Sequence, residues 1–439
     1  MSGEYRWLNK HSQKFLEDGY LLEGQTVDDR VNIIASRAES ILGIEGYAEK
    51  FKENFRKGWY SLSTPVWSNF GTSRALPISC VIGDTWINTK DDGGKLAKDI
   101  VIGDEVLTHL GRYKKIIDVI KTEKKDNIFL LKVSNRLTPL YITGNHLVLT
   151  NLGWVRVDEL NIEKHLVAIN GDIIVDTVNT DQIDLKPFVD YDYGIIDGKI
   201  CKMGVNDNVV SYYSKPFEYV KVTQDLMWAI GLWFAEGSIS TSNKKEPNGI
   251  RITLNVRNRD DGKRWLDIMK SHFNLNGSEY ESNITDRADR KNTSWINVNV
   301  NSKIIGNLFN SFGRGCKNKI IPTWILHQSD EYVSCLLDGL LLGDGSIKPH
   351  GALRLTLSNP KLLLQVYQIG LRLKYPMSLQ MQEKASKLSS IKYVYTISFR
   401  KYKLGSNKTS GDNAIKFNDG LLYAPIKELK LTERVDDVY

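Results

Sequence analysis

Along the first 79 residues the apolar positions recur at helical spacing. Within Val31-Asn-Ile-Ile-Ala-Ser-Arg-Ala-Glu-Ser-Ile-Leu42 they gather on one side of a 3.6-residue period, and Thr26 or Asp28 stands where a side chain caps a first turn. Tyr47 to Phe55 continues that texture, and the stretch from Gly58 to Gly71 is aromatic and rich in turn residues. At Cys80 the pattern switches to short β-type runs separated by Gly and Asp: Asp84–Ile87, Asp104–Leu107, Ile128–Val133 and Leu147–Thr150. These predict a compact all-β unit reaching to about residue 170. Residues 171–220 read as an acidic, irregular connector or small subdomain.

Further on the pattern repeats. Gly231-Leu-Trp-Phe-Ala-Glu-Gly-Ser-Ile239 is echoed by Gly339-Leu-Leu-Leu-Gly-Asp-Gly-Ser-Ile347, a shift of 108 positions (344 − 236). Each copy closes an apolar, helix-like stretch and is followed by an alternating strand. After the first, Ile250, Ile252, Leu254 and Val256 face one way while Arg251, Thr253, Asn255 and Arg257 face the other. After the second, Leu353, Leu355 and Leu357 alternate with Arg354, Thr356 and Ser358. A further strand follows in each copy, Trp295–Val300 and Tyr393–Phe399, so two similar half-domains are expected. Residues 411–439 return to β texture.

Composition narrows the class. The chain has 439 residues, 41% hydrophobic and 25% charged, the balance of a globular protein of about three domains. No apolar run approaches a membrane span, and the polar N-terminus carries no signal-type h-region, so a cytoplasmic setting without membrane partners is expected. Four dispersed cysteines without paired spacing fit a reducing compartment. The net charge of +7 is compatible with nucleic acid without requiring it.

The repeat carries the candidate chemistry. Gly231 with Ala235, and Gly339 with Gly343, put small residues one turn apart, so two helices can approach along that face. Glu236 and Asp344 then fall at helix C-termini, each before a glycine suited to end a helix. Acids there oppose the helix dipole, and two together repel. A divalent cation relieves both penalties, and hard oxygen ligands suit Mg²⁺. One copy alone would read as a plain turn; two in matching context point to a site that hydrolyses phosphodiesters. The polar strand faces, Arg251, Thr253, Asn255, Arg257, Arg354 and Thr356, suit a DNA groove.

These motifs, Ala229–Gly237 and Leu337–Gly345, resemble those of LAGLIDADG homing endonucleases. The resemblance implies an α+β unit over 221–410, built of two pseudo-symmetric αββαββα halves, with Glu236 and Asp344 as catalytic, Mg²⁺-binding acids. Lys317-Asn-Lys-Ile-Ile-Pro322 is similar to the family's basic stretch and makes Lys319 the candidate assisting lysine, against the alternative of a solvated surface side chain.

Cys80-Val-Ile-Gly-Asp-Thr-Trp-Ile87 and Thr143-Gly-Asn-His146 resemble splicing blocks of inteins, an all-β Hint fold over 80–170. By that resemblance the Cys80 thiol attacks the Ser79 carbonyl, the Ser79–Cys80 bond being scissile, while His146 and Thr143 assist. No cofactor is implied for splicing. Hedgehog-type autoprocessing domains share the Cys and TxxH chemistry but lack an embedded nuclease. Residues 1–79, through Gly58–Gly71 and Arg74-Ala-Leu-Pro-Ile-Ser79, resemble a helical N-terminal extein from a ribonucleotide reductase large subunit. Glu433–Tyr439 resembles the approach to the intein's closing blocks, and no terminal His-Asn follows. The expected activity is therefore half of splicing plus DNA cleavage, in a natural split intein or a truncated gene. The expected partners are double-stranded DNA at the intein-less reductase site and a complementary C-terminal fragment. The competing reading is a degenerate remnant that only binds DNA or a partner fragment.

Overall fold

In the computed structural model the described residues run from 5 to 439, leaving aside 20, 22–23, 63–65, 68–69, 71–79, 91, 109–110, 126, 135, 137, 171–176, 178–179, 244, 285–292, 348–351, 376, 384–392, 400–415 and 419–420. The chain divides into two compact units, Met1–Cys80 with Asn145–Leu147, and Val81–Gly144 with Val148–Tyr439.

The first unit holds helices Lys10–Gly19, Val27–Leu42 and Tyr47–Arg56. Thr26, rather than Asp28, caps the second helix in a capping box with Asp29, and Gly43 ends it in the left-handed conformation. Its core gathers Val31, Ile34, Phe55 and Trp67. The buried Arg30 guanidinium donates to the carbonyls of Val66, Trp67 and Phe70, tying down the aromatic segment after the helices.

In the second unit, strands Ile128–Val133, Leu140–Thr143, Leu147–Thr150, Gly153–Arg156 and Leu166–Asn170 form one sheet. The late strand Leu421–Leu431 inserts between Ile128–Val133 and Leu166–Asn170, pairing with both. Pairing reaches the chain's last residue: the amides of Val81 and Tyr439 each donate to the other's carbonyl, at 3.1 and 2.8 Å.

The stretch expected to be irregular contains ordered strands. Gln182–Asp184 pairs with Tyr219–Lys221, and Tyr193–Ile196 with Lys199–Lys202. The turn of that hairpin is Asp197-Gly198, both at positive φ (51° and 68°), the geometry that matches hairpin twist.

Beyond this lie two four-stranded antiparallel sheets. The first runs Gly237–Thr241, Pro247–Asn255, Thr293–Val300, Gly277–Ile284; the second runs Gly345–Ile347, Leu353–Leu357, Tyr393–Phe399, Met377–Glu383. Each first strand follows directly from a long helix, Gln224–Glu236 or Asp330–Asp344. Each second strand leads to another helix, Arg259–Phe273 or Pro360–Arg372. One large apolar core spans both sheets and both motif helices. The first motif helix is buried almost all round, from Leu226 to Phe234.

Candidate functional sites

The two motif helices meet at their glycines. A β-carbon on Gly231 would stand 2.0 Å from the Leu336 carbonyl oxygen, and one on Gly339 would stand 2.0 Å from that of Trp228. The contacts are reciprocal under the same 108-residue shift, since 228 and 231 become 336 and 339. No other residue type allows backbones so close. Near the helix ends, a β-carbon on Gly343 would meet Ala235 Cβ at 2.5 Å and Glu236 Cγ at 2.8 Å, so Glu236 and Asp344 come together.

Their electrostatics follow from that proximity. Desolvation raises the Glu236 carboxyl, opposed by Lys319. Asp344 is pushed up to about 7 by desolvation and then by Glu236, with Lys319 again opposing. Glu236 is half-buried and Asp344 is open to solvent on one side, yet two acids side by side cannot both ionise cheaply.

Lys319 is buried rather than solvated. Its Nζ donates to the carbonyls of Trp233 (2.9 Å), Phe234 (3.0 Å) and Gly237 (2.7 Å), and lies 4.5 Å from the Trp233 ring centroid. The ammonium therefore sits on the negative end of the first motif helix, offsetting what the acid there costs. Burial still brings its pKa down to about 8, against the pull of Asp344 and Glu236.

The glycines after the acids end their helices, as expected, but not in the left-handed conformation. Gly237 (φ −87°) and Gly345 (φ −80°) are extended and feed straight into a strand. They are needed for space: a β-carbon on Gly237 would lie 2.3 Å from the Trp233 carbonyl oxygen, and one on Gly345 2.1 Å from that of Leu341.

The polar faces sort into cross-strand rows. In the first sheet Ser238, Arg251, Asn299 and Ser278 align, as do Thr253, Asn297 and Tyr280. Arg251 Nε donates to Asn299 Oδ1 (2.6 Å) and Thr253 Oγ1 to Asn297 Oδ1 (3.1 Å). A groove of about 560 Å³ opens over this face, lined by Ser238, Arg251, Ser278, Tyr280 and Asn299. In the second sheet Ser346, Arg354 and Ser398 align, and Thr356 meets Thr396 at 3.1 Å. With serine in place of asparagine, the buried Nε of Arg354 has no partner among the described residues. Arg257 leaves the expected row: the strand ends at Asn255, whose side chain accepts the Arg257 amide and caps a short 3-10 turn. Asn297, Asn299, Ser238 and Tyr280 went unremarked in the sequence, although the Asn-Val-Asn alternation before Val300 signals two of them.

At the other candidate centre, Cys80 is a buried thiol. His146 Nδ1 lies 3.3 Å from the Cys80 carbonyl oxygen. A carbonyl only accepts, so Nδ1 carries the proton and Nε2 keeps its lone pair. Burial lowers the His146 pKa, with the Cys80 carbonyl partly opposing, so the ring is neutral at pH 7. The contact is thus to the peptide bond after Cys80; Ser79, and with it the expected scissile bond, lies outside the described residues. Thr143 ends the strand Leu140–Thr143, and its buried Oγ1 has no partner among the described residues. The backbone beside Cys80 is held by the Val81–Ile142 bridge and by the Ile82 amide on the Tyr141 carbonyl (3.1 Å).

Among the described residues no group of three or more His, Cys, Asp or Glu is placed to hold a metal ion, and no helix is long and apolar enough to cross a membrane. Any metal would rest on Glu236 and Asp344, with other ligands from outside their carboxylates. Their oxygen chemistry and mutual repulsion fit a hard divalent cation.

No family model matches the chain. Solved structures similar to it nevertheless include homing endonucleases, inteins and a ribonucleotide reductase α subunit. These are the classes its three segments resemble, and its architecture is multidomain α+β. In particular, the homing endonuclease I-WcaI bound to its DNA recognition sequence is 13% identical, covering 44% of this chain and 84% of that one, at a TM-score of 0.30. The Ssp DnaB mini-intein variant M86 is 25% identical, covering 23% and 66%, at 0.19. The class Id reductase α subunit of Actinobacillus ureae is 54% identical, covering 19% and 16%, at 0.18. Among curated proteins, the ATP-dependent DNA helicase Hel308 of Thermococcus kodakarensis is 24% identical over 305 residues, or 62% of this chain. The chain spans a quarter (25%) of that helicase's length.

Proposed function

We propose that the chain is a reductase large-subunit fragment (1–79) interrupted at Cys80 by an intein (80–170 and 411–439). The intein carries a LAGLIDADG-type homing endonuclease (221–410), with 171–220 as an added subdomain. The observation that carries the nuclease reading is the reciprocal seating of Gly231 and Gly339, which brings Glu236 and Asp344 together beside Lys319. The two halves, αββαββα in the first and αββαββ in the second, whose closing helix would lie outside the described residues, would then present a polar sheet face to double-stranded DNA at the intein-less reductase site. Arg251, Thr253, Asn255, Arg354 and Thr356 lie on those faces, and Arg257 lies just past the end of one. Mg²⁺ held by Glu236 and Asp344 would supply the positive charge that stabilises phosphodiester cleavage. Lys319 keeps the helix end electrically tolerable and holds a proton donor near the acids.

At the junction, Cys80 Sγ attacks the Ser79 carbonyl carbon; the C–N bond breaks, a thioester forms, and the departing nitrogen takes a proton. His146 is neutral, with its Nδ1 proton engaged by the carbonyl of the following peptide, so its unprotonated Nε2 is the atom that would take the thiol proton and pass it to the departing nitrogen. The Thr143 hydroxyl, which has no partner among the described residues, would serve a developing oxyanion. If the intein is split, splicing would be completed by a complementary C-terminal fragment, in the cytoplasm.

The test is direct. A plasmid carrying the uninterrupted reductase site should be cut with Mg²⁺ and left intact by Glu236→Gln and by Asp344→Asn; cutting unaffected by both would reject the acid assignment. A strong thiol should release residues 1–79, and Cys80→Ala should stop it.

A further inference from the structure

Lys319 owes its place to side-chain amides a helix away. Asn359, which caps the helix Pro360–Arg372, donates through Nδ2 to the Lys319 carbonyl (2.5 Å), while its Oδ1 accepts the amides of Lys361 and Leu362. One turn on, Gln365 grips Ile321 from both sides. The Ile321 amide donates to Gln365 Oε1 and Gln365 Nε2 donates to the Ile321 carbonyl, each at 2.8 Å. Asn359 and Gln365 are both buried, Gln365 completely. Buried amides are costly unless fully engaged, so this arrangement holds only where the Lys319–Ile321 backbone stands where it does.

The face of the helix that carries Gln365 is also braced by the N-terminal β-rich part. Gln368 Nε2, also buried, donates to the carbonyl of Gly93 (2.9 Å) and lies 3.5 Å from that of Thr89. The turn fits tightly: a β-carbon on Gly93 would stand 2.6 Å from Gln365 Cγ and 2.9 Å from the Lys361 carbonyl oxygen. Gly93 also has φ +71°, a conformation that independently favours glycine.

We propose that Asn359 and Gln365 form an amide clamp that positions Lys319 over the end of the first motif helix, and that Gln368 braces the clamp on the carbonyls of Thr89 and Gly93. They are positioning residues: they touch the Lys319 and Ile321 backbone, and they act on the nuclease centre through the ammonium those bonds place. The inference rests on the nuclease reading for its catalytic consequence but not for its geometry. It makes a turn that belongs, on that reading, to the splicing block into a structural support of the nuclease centre.

Two readouts separate the clamp from the function. Under amine acylation followed by mass spectrometry, Lys319 should be protected in the full chain. Gln365→Leu should raise its labelling about 10-fold by opening the site locally, with Lys303 unchanged as an internal control. In single-turnover cleavage with Mg²⁺, Gln365→Leu should slow cutting about 10-fold at unchanged DNA affinity. In a Lys319→Met background the same change should cost less than about 2-fold, because the residue it positions is gone. A protected Lys319 in Gln365→Leu, or effects that simply multiply, would overturn the clamp. If the unaltered chain cuts no DNA, the nuclease reading falls while the labelling still decides the clamp. If Gln365→Leu does not fold, Asn359→Ser carries the same expectations through the same measurements.

Discussion

Asp344→Asn offers a reading of the acid pair that needs no DNA. In the folded chain Asp344 titrates at about 7, against 3.8 for the ordinary side chain. A shift of roughly three units at about 1.4 kcal/mol each would amount to about 4 kcal/mol for a fully enclosed group. The Asp344 side chain is open to solvent on one side, and screening brings the figure to about 1–2 kcal/mol. The sign follows from proton linkage. The folded state holds the proton more tightly than the unfolded one, so this contribution is present at low pH. It is lost as pH rises from about 4 through about 7, and is level beyond. Asparagine keeps the shape and removes the charge. Urea unfolding in the presence of a chelator should therefore find Asp344→Asn more stable than the unaltered chain by about 1–2 kcal/mol at pH 8, and by clearly less at pH 5. Adding Mg²⁺ at pH 8 should narrow the gap by stabilising only the chain with both acids. An equal difference at both pH values, or a less stable asparagine variant at pH 8, would refute the account of two acids forced together.

Three further outcomes are expected. Gly231→Val should cost more than about 3 kcal/mol and probe-independent loss of structure is the anticipated result in circular dichroism, because its β-carbon has only 2.0 Å to the Leu336 carbonyl oxygen. His146→Ala should slow thiol-dependent release of residues 1–79 by about 10²-fold or more, read on a gel, since it removes the group that manages the proton at this peptide. Arg354→Ala should weaken DNA binding by about 1–3 kcal/mol in a salt-controlled titration. Arg354→Ala should weaken it more than Arg251→Ala does, because Asn299 already occupies the Arg251 Nε donor while that of Arg354 has no partner among the described residues.

Much of the site was legible because duplication is visible in one dimension. A single Glu-Gly or Asp-Gly proves nothing, but two copies 108 positions apart, each ending an apolar stretch, imply that the acids share a face. The alternation of Ile250, Ile252 and Leu254 likewise assigned the buried face of a strand before any neighbour was known. Local pattern also misled. A glycine after each acid signals that a helix ends there but not how it ends: the backbone is extended, and the glycines make room for carbonyl oxygens. The Asp197-Gly198 hairpin was overlooked because the acidic residues around it masked a turn signal of two residues.

What the sequence determined by itself, then, is whatever periodicity and repetition encode: where texture breaks at Cys80, which residues alternate inward, and which two acids correspond. Tertiary structure alone decided the state of Lys319. Its partners Trp233, Phe234 and Gly237 lie 82 to 86 residues away, and the amides that place it belong to another helix. Hydrophobic pattern cannot tell such a lysine from a solvated one, because both are isolated charges between apolar neighbours. Only packing decides whether three carbonyl oxygens converge on the ammonium, and through that convergence whether the paired acids have a counter-charge.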